Sequence, residues 1–417
     1  MSRHVVVIGA GMAGLSAAYA ARQRNVDVTV ISTGAGASAL GGGAVDDLPW
    51  EAWLSAVRTL DEPLRGRPVA DDIRAFSDAL GLWNLPSVDA PAPIVATAAG
   101  RLRPARGRDK GLLDVGSFGK TTVLVPRVPR AGWDADALAA TLESEWLAQR
   151  AGLRFLPVDA PILRFTDEAR IADADLAMRH DEPARIEWLA ERLREMVHAA
   201  RGEAPSISGV LLGSWLGVKQ ERATELSSRV GVSVGEVLVG VGSTAGLRFE
   251  TAVERFLARL SVKFVAERVT GLHRAGQRIE IVLASESSRV VADAVVVATG
   301  GMATGSIVYT PPDLQASEHM PSRIDPPFSF GIQTVDLSIP LSCGKERIDA
   351  GSSVFGPPLD RTAWPTNARS STLESVGIEA EDGKVCPGIY AAGDVVAGKR
   401  RTMLEAVASG LRVGRMV

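Results

Sequence analysis

The sequence contains few cysteines and few aromatic residues, and neither charge is in surplus. Its 417 residues include two cysteines, Cys343 and Cys386, and 5% aromatic side chains. A scaffold of several disulfides is therefore excluded, as is an iron–sulfur cluster held by four thiolates of this chain. The 46 Lys and Arg residues against 49 Asp and Glu residues give a net charge of −3, so the basic surface of a nucleic-acid-binding protein is not expected.

Long hydrophobic runs and metal-ligand spacings are also missing. No segment approaches the roughly 20 consecutive apolar residues that a transmembrane helix requires, and the first residues lack the pattern of a signal peptide. The five histidines show no spacing typical of metal ligands, so we predict no metal site. We expect a cytoplasmic protein; peripheral association with the inner face of the cytoplasmic membrane through a partner stays open.

A glycine-rich hexapeptide near the start predicts a dinucleotide site. The apolar run Val5–Ile8 is typical of a strand buried on both faces. An Ala-rich helical segment follows after Gly9-Ala10-Gly11-Met12-Ala13-Gly14. At this spacing the first glycine permits a tight turn, the second lets the backbone approach a pyrophosphate, and the third lets the helix pack closely. The phosphates would then lie at the N-terminus of the helix.

The position that usually holds a ribose-binding acid is occupied by hydroxyl residues. Ser32 and Thr33 follow the predicted second strand, Val26–Ile31. A hydroxyl can bind ribose, but more weakly than a carboxylate does. This departure counts against an NAD-dependent dehydrogenase, and it leaves FMN open as an alternative to FAD.

Two downstream motifs favour a flavin. Ala298-Thr299-Gly300-Gly301 closes a predicted strand at Val290–Ala298, and Ala392-Gly393-Asp394 precedes a predicted helix from about Thr402 to Met416. Asp394 would bind a ribityl or phosphate oxygen. The backbone amides near Thr402 and Met403 would face O2 of the isoalloxazine ring and stabilise the reduced anion. With its three motifs in this order, the chain resembles the FAD oxidoreductases that have two dinucleotide-binding domains.

A further small-residue segment resembles the succinate dehydrogenase and fumarate reductase flavoproteins. In those relatives a segment at the position of Gly41-Gly42-Gly43-Ala44 passes beside the flavin, where small side chains let the backbone touch a flat ring. The alternative is a flexible glycine loop. The resemblance also includes Val269 among the cofactor-contacting residues, in a predicted strand at Glu267–Leu272.

Within that superfamily, the chain resembles the B subunit of anaerobic glycerol-3-phosphate dehydrogenase. The similarity is carried by the hydroxyl residues at the ribose position, the segment leading to Val45-Asp46-Asp47-Leu48, the stretch Gly240–Leu260 and the region Phe328–Asp336. It implies a multisubunit electron-transfer complex with a second flavoprotein and an iron–sulfur subunit that passes electrons to quinone.

The resemblance implies hydride transfer from a small polar or anionic substrate, such as glycerol 3-phosphate, to the flavin. Two alternatives remain: a stand-alone flavin dehydrogenase similar to fumarate reductase, and a flavin-binding electron-relay or assembly subunit without substrate chemistry of its own. No catalytic constellation is evident. The candidates are His319 as a general base, Arg323 for a dicarboxylate, and Lys399 and Arg400.

The basic cluster Lys399-Arg400-Arg401 departs from the family, which tends toward uncharged residues here. It is interpreted as an anion site for a phosphate or carboxylate substrate beside the flavin, as a solvated basic loop, or as side chains that pair with the cofactor pyrophosphate.

The predicted fold class is α/β, with a Rossmann-like FAD-binding domain of glutathione-reductase type. This domain would be assembled from N- and C-terminal segments around an inserted α/β or α+β cap domain. The FAD-binding segments are predicted at 1–60, 241–302 and 385–417. The cap is predicted at 61–240, with a second insertion at 303–384. Amphipathic helices are predicted in the cap at Asp134–Ala151 and Glu182–Arg201.

Overall fold

A computed structural model describes residues 3–46, 69–87, 90–285, 289–310 and 377–417, and the backbone of three short strands between 334 and 347. The chain divides into two compact units. The first unit comprises Met1–Ala37 and Leu257–Val417, and the second comprises Ser38–Phe256. The predicted division into five segments, with boundaries near 60, 240, 302 and 384, stays a prediction.

The helices of the described residues are few and mostly short. They are α1 (Met12–Arg22), α2 (Asp71–Leu80), α3 (Ala135–Ser144), α4 (Trp146–Ala151), α5 (Asp173–Arg179), α6 (Pro183–Ala200), α7 (Ala223–Val230), α8 (Thr244–Arg259) and α9 (Met403–Met416). None of these helices combines the length and the apolar character needed to cross a bilayer.

The strands of the described residues belong to several sheets. They are β1 (His4–Ile8), β2 (Asp27–Ile31), β3 (Ala44–Val45), β4 (Trp83–Asn84), β5 (Ile94–Ala96), β6 (Leu102–Pro104), β7 (Gly107–Asp109), β8 (Thr121–Arg127), β9 (Leu153–Asp159), β10 (Ile207–Leu212), β11 (Ser233–Glu236), β12 (Lys263–Val265), β13 (Val269–Ala275), β14 (Arg278–Leu283), β15 (Arg289–Ala292), β16 (Ala294–Val297), β17 (Ile307–Thr310), β18 (Thr334–Leu337), β19 (Ser342–Cys343), β20 (Glu346–Arg347), β21 (Lys384–Cys386) and β22 (Ile389–Ala391).

The first unit is built on a six-stranded sheet with the order β12-β2-β1-β16-β22-β21. The first five strands are parallel, and β21 runs antiparallel at the edge. The central strands β1 and β16 carry Val and Ala side chains that are buried on both faces, as a parallel sheet covered by helices requires. The predicted α/β fold, assembled from early and late parts of the chain, is confirmed.

The predicted single strand Val290–Ala298 is wrong, because the chain changes sheets at Asp293. Before it, β15 pairs antiparallel with β14 in a three-stranded sheet, and after it β16 pairs parallel with β1. The Asp293 amide donates to the His4 carbonyl (2.9 Å), and the Asp293 carboxylate accepts from the His4 amide (2.8 Å). These two bonds fix the point at which one strand ends and the next begins.

Helices α1 and α9 touch backbone to backbone through glycines. A side-chain carbon at Gly410 would lie 2.2 Å from the Ala13 carbonyl oxygen and 2.1 Å from Ser16 Oγ. One at Gly414 would lie 2.3 Å from the Ala17 carbonyl oxygen. Because only hydrogen fits at these positions, the late helix α9 can approach the early helix α1 closely.

We predict that Gly410→Ala destabilises the protein by about 1–3 kcal/mol, since the added methyl group meets backbone that cannot move aside. Urea unfolding measures the change. The matched control is Gly34→Ala, where a side-chain carbon meets nothing within 4 Å, and its effect should stay within about 0.5 kcal/mol. Equal stability of Gly410→Ala and wild type would contradict the described contact.

The second unit contains a four-stranded sheet of order β11-β10-β8-β9 in which every neighbouring pair is parallel. A three-stranded antiparallel sheet (β3-β7-β4) and the pair β5-β6 complete its strands within the described residues. The helix predicted at Glu182–Arg201 is confirmed as α6, which begins at Pro183. Its apolar face is buried, as the helical spacing predicted: Ile186, Leu189, Leu193 and Met196.

The helix predicted at Asp134–Ala151 is interrupted. Glu145 has an extended conformation (φ −66°, ψ 135°) that separates α3 from α4. Its carboxylate pairs with Arg101 at 2.7 Å. A local break of this kind leaves the hydrophobic spacing nearly unchanged, so the spacing alone predicted one continuous helix.

A buried ionic network ties the second unit together. Arg248 on α8 is fully buried, and its Nη2 lies 2.7 Å from both Asp109 and Glu236. The Thr244 hydroxyl also donates to Glu236, at 3.0 Å. Burial raises the pKa of Glu236, and the guanidinium of Arg248 opposes that rise. Removing one member would leave an uncompensated buried charge, which is far more costly than losing a surface pair.

His180 is another buried titratable group of this unit. It is 2% exposed, and its Nδ1 donates to the Trp215 carbonyl at 2.7 Å. Burial lowers the pKa of His180 to about 4. The unfolded chain, with an ordinary histidine pKa near 6.5, therefore binds more protons than the folded chain between these two pH values.

We predict that stability is highest above about pH 6.5 and falls by up to roughly 3 kcal/mol as the pH drops toward 4 because of His180. His180→Asn keeps a donor for the Trp215 carbonyl but does not titrate, so its unfolding free energy should change less over this range. The control is His198→Asn, at an exposed position of α6. Urea unfolding at several pH values tests this, and an unchanged pH slope in His180→Asn contradicts it.

Candidate cofactor site

The turn after β1 leaves no space for side chains. Gly9 has φ +112°, a conformation that only glycine adopts readily. A side-chain carbon there would lie 2.2 Å from the Ala298 carbonyl oxygen, and one at Gly14 would lie 1.9 Å from the Gly9 carbonyl oxygen. Two of the predicted glycine roles, the tight turn and the close helix approach, therefore have direct structural causes.

The N-terminus of α1 is suited to an anion. The helix begins at Met12 with Gly11 as N-cap, so no capping side chain occupies the first-turn amides, and this turn carries no acidic residue. Such amides lack partners within the helix and carry partial positive charge. Ala10, Met12 and Ala13 are buried around the turn.

Ser32 and Thr33 follow β2, as predicted, but the Ser32 hydroxyl is already engaged. It donates to the Gly34 carbonyl at 2.6 Å and accepts from the Gly34 amide at 3.2 Å. Thr33 is exposed. The serine thus closes a local turn, and a contact of either hydroxyl with ribose stays a prediction.

The turn after β16 approaches the loop before α9. The Thr299 carbonyl accepts from the Thr304 hydroxyl at 2.9 Å, which closes the turn around Gly300. A side-chain carbon at Gly301 would lie 3.2 Å from Asp394 Cβ and 3.8 Å from Arg401 Cζ. The absent side chain of Gly301 thus lets the side chains of Asp394 and Arg401 lie close to this turn.

The Gly393-Asp394 loop packs against the start of α1. Gly393 has φ +77°, and a side-chain carbon there would lie 2.6 Å from Ala13 Cβ. Its amide donates to Ser409 Oγ at 3.1 Å, which fixes the loop to α9. The structure therefore brings together the motif at Gly9–Gly14 and the motif at Gly393–Asp394, which are far apart in sequence.

Asp394 lies in an environment that disfavours its charge. Burial raises the pKa of Asp394, and the positive charge of Arg401 opposes the rise. The following helix begins at Met403, with Thr402 as N-cap: its Oγ1 accepts from the Glu405 amide at 3.4 Å. The partly buried carboxylate and the N-terminus of α9 thus lie on the same short segment.

The glycine segment Gly41–Ala44 lies in the second unit, and packing within that unit accounts for two of its glycines. A side-chain carbon at Gly42 would lie 2.0 Å from the Val239 carbonyl oxygen, and one at Gly43 would lie 2.9 Å from Asp109 Cβ. Its predicted position beside a flavin stays a prediction.

Val269 belongs to the apolar core of the first unit and is 4% exposed. A cofactor contact at this residue would therefore involve its backbone.

Two of the four catalytic candidates, Lys399 and Arg400, lie within the described residues. His319 and Arg323 lie outside the described residues. Lys399 is half-buried and Arg400 is exposed, whereas the neighbouring Arg401 is partly buried and its Cζ lies near Gly301. Sequence reasoning listed the first two basic residues as candidates and treated Arg401 only as part of the cluster. The sequence signal for Arg401 is its position directly before the N-cap Thr402.

These features fit flavin adenine dinucleotide (FAD). The N-terminus of α1 suits a pyrophosphate, and the partly buried Asp394 carboxylate suits a hydroxyl donor. The glycines at 9, 14 and 393 allow the turns after β1 and β16, the start of α1 and the Gly393-Asp394 loop to pack closely together. Within the described residues, no cluster of His, Cys, Asp and Glu side chains is arranged to hold a metal ion.

A known protein family matches the segment that contains the Gly9–Gly14 turn. Residues 4–49 match the FAD binding domain family. The matched segment contains the Gly9–Gly14 turn, Ser32 and Gly41–Ala44, and it supports FAD as the cofactor. The matched segment contributes β1, α1 and β2 to the parallel α/β part of the first unit. No curated protein matches the chain.

Several solved structures are similar at low identity. For 3-ketosteroid Δ1-dehydrogenase from Sterolibacterium denitrificans, the identity is 15%, with 72% of this chain and 48% of that chain covered and a TM-score of 0.27. L-Amino acid deaminase from Proteus myxofaciens is 14% identical, with 72% of this chain and 46% of that chain covered and a TM-score of 0.25. The aromatic hydroxylase CabE of angucycline biosynthesis is 11% identical, with 100% of this chain and 61% of that chain covered and a TM-score of 0.32. This chain spans less than two thirds of the length of each.

Proposed function

We propose that this protein is an FAD-dependent oxidoreductase that oxidises a small polar or anionic substrate. The observation that carries the proposal is the meeting of the Gly9–Gly14 turn and the Gly393-Asp394 loop at the N-terminus of α1. The match of residues 4–49 to the FAD binding domain family supports the same cofactor.

The roles of the residues follow from their chemistry. The first-turn amides of α1 would bind the pyrophosphate, and Asp394 would accept a hydrogen bond from a hydroxyl of the ribityl chain. The N-terminus of α9 would place partial positive charge near the ring. When bound, FAD supplies the two-electron acceptor that the reaction needs.

A phosphate-bearing alcohol such as glycerol 3-phosphate is our proposed substrate class. The support is the basic cluster Lys399-Arg400-Arg401, whose charges suit an anionic group, together with the resemblance to the glycerol-3-phosphate dehydrogenase subunit. The alcohol carbon would lose a hydride to the cofactor and the hydroxyl would lose its proton to a base, which leaves a ketone.

We further propose that the electrons leave through partner subunits to a quinone. Two cysteines are too few to hold a four-thiolate cluster, so an iron–sulfur relay would need ligands from another chain. A second flavoprotein and an iron–sulfur subunit are the partners that the resemblance implies.

We predict that the purified chain binds FAD and that glycerol 3-phosphate reduces it anaerobically, whereas glycerol does not. Release of the cofactor by denaturation, followed by chromatography, distinguishes FAD from FMN. Loss of the visible flavin absorbance measures reduction. Succinate serves as the dicarboxylate comparison, and dithionite shows that the bound flavin can be reduced.

Each outcome decides between the alternatives. A chain that binds no flavin contradicts the whole proposal. If dithionite reduces the bound flavin but glycerol 3-phosphate does not, with or without the partner subunits, the proposed substrate is wrong. That result favours a relay subunit. Sustained turnover by the isolated chain with an artificial acceptor favours a stand-alone dehydrogenase.

A further inference from the structure

The proposed function uses Arg401 only as one of three charges in the basic cluster Lys399-Arg400-Arg401, whereas the structure gives this residue surroundings of its own. It follows Lys399 and Arg400 and directly precedes the N-cap of α9. Unlike Arg400, it is partly buried. Its Cζ would lie 3.8 Å from a side-chain carbon at Gly301, and Asp394 Cβ would lie 3.2 Å from the same point. The guanidinium carbon of Arg401 and the Cβ atom of Asp394 therefore both lie next to Gly301.

We propose that Arg401 is a positioning residue that holds the Asp394 side chain beside Gly301, where its carboxylate would accept a hydrogen bond from a hydroxyl of the cofactor. This inference rests on the proposed function and assigns a task to one more residue of the same site.

The charge balance around Asp394 supports this role. Burial raises the pKa of Asp394, and the positive charge of Arg401 opposes that rise. The first two turns of α1, which pack against the loop, carry no titratable side chain. Glu405 in the first turn of α9 and the loop residues Lys399 and Arg400 are the other charged groups nearby in sequence.

Protonation of Asp394 would change its chemistry toward the cofactor. An ionised carboxylate only accepts hydrogen bonds, and its bonds to hydroxyl donors are about twice as strong as neutral ones. A protonated carboxyl would present a donor of its own and form weaker bonds. Flavin affinity should therefore fall as the pH drops through the pKa of Asp394, and the position of that fall reports on Arg401.

The test measures the dissociation constant of FAD for the full-length apoprotein by fluorescence quenching between pH 5 and 9. For Arg401→Gln, we expect the pH midpoint of affinity to move upward by about one unit or more, since loss of a close opposite charge shifts a carboxyl pKa by roughly 1–3 units. Arg401→Lys restores a positive charge, so its midpoint should return toward that of wild type.

Two further variants isolate the pair. Asp394→Asn should bind FAD more weakly and without this pH dependence, and Arg401→Gln should then have little additional effect in the Asp394→Asn background. The matched control is Arg412→Gln, because Arg412 is an exposed arginine on α9. It should show the wild-type profile.

Other results would overturn the inference. If Arg401→Gln weakens FAD binding by the same factor at every pH, or leaves it unchanged, Arg401 does not act through Asp394. If the effects of Arg401→Gln and Asp394→Asn on the free energy of FAD binding simply add in the double variant, Arg401 again does not act through Asp394. If the wild-type apoprotein fails to bind FAD at any pH, the proposed function itself fails, and this inference fails with it.

Discussion

The backbone contact between α1 and α9 is the constraint on which the cofactor site depends. It exists because Gly410 and Gly414 carry no side chain where the carbonyls of Ala13 and Ala17 approach. With a bulkier residue at either place, the late helix would move away from the early one. The Gly393-Asp394 loop, which is bonded to α9 through Ser409, would move with it. The chemistry proposed for the first unit thus depends on close helix packing.

Much of the first unit could be predicted from the sequence, because its signals are local. The glycine spacing, the Val-rich strand before it and the Gly-Asp turn each have a short-range cause, and the structure places them in one sheet and its adjoining turns. The division of Val290–Ala298 could not be predicted. It depends on hydrogen bonds between Asp293 and His4, which are 289 positions apart, and hydrophobic spacing contains no trace of such a partner. The break at Glu145 could not be predicted either, because one extended residue leaves the helical spacing of the apolar side chains nearly unchanged.

The buried charges of the second unit were also beyond sequence reasoning. Asp109, Glu236 and Arg248 show no periodicity and no motif, and charged residues are usually exposed. Their burial follows only from the fold that brings β7, β11 and α8 together. Arg401 is similar: the sequence shows a basic cluster, whereas the structure shows which of its members approaches Asp394.

The pairing of β1 with β16 has a consequence for how the protein folds. His4 and Asp293 flank the pairing at the centre of the six-stranded sheet, and the whole of the second unit lies between them in the chain. Contacts over such sequence distances form slowly, because the chain loses the entropy of the long intervening loop before the strand pairing can stabilise the sheet. During synthesis, the edge of β1 that later meets β16 therefore stays unpaired until almost three quarters of the polypeptide has been made, and a chaperone would find its exposed valines in that interval.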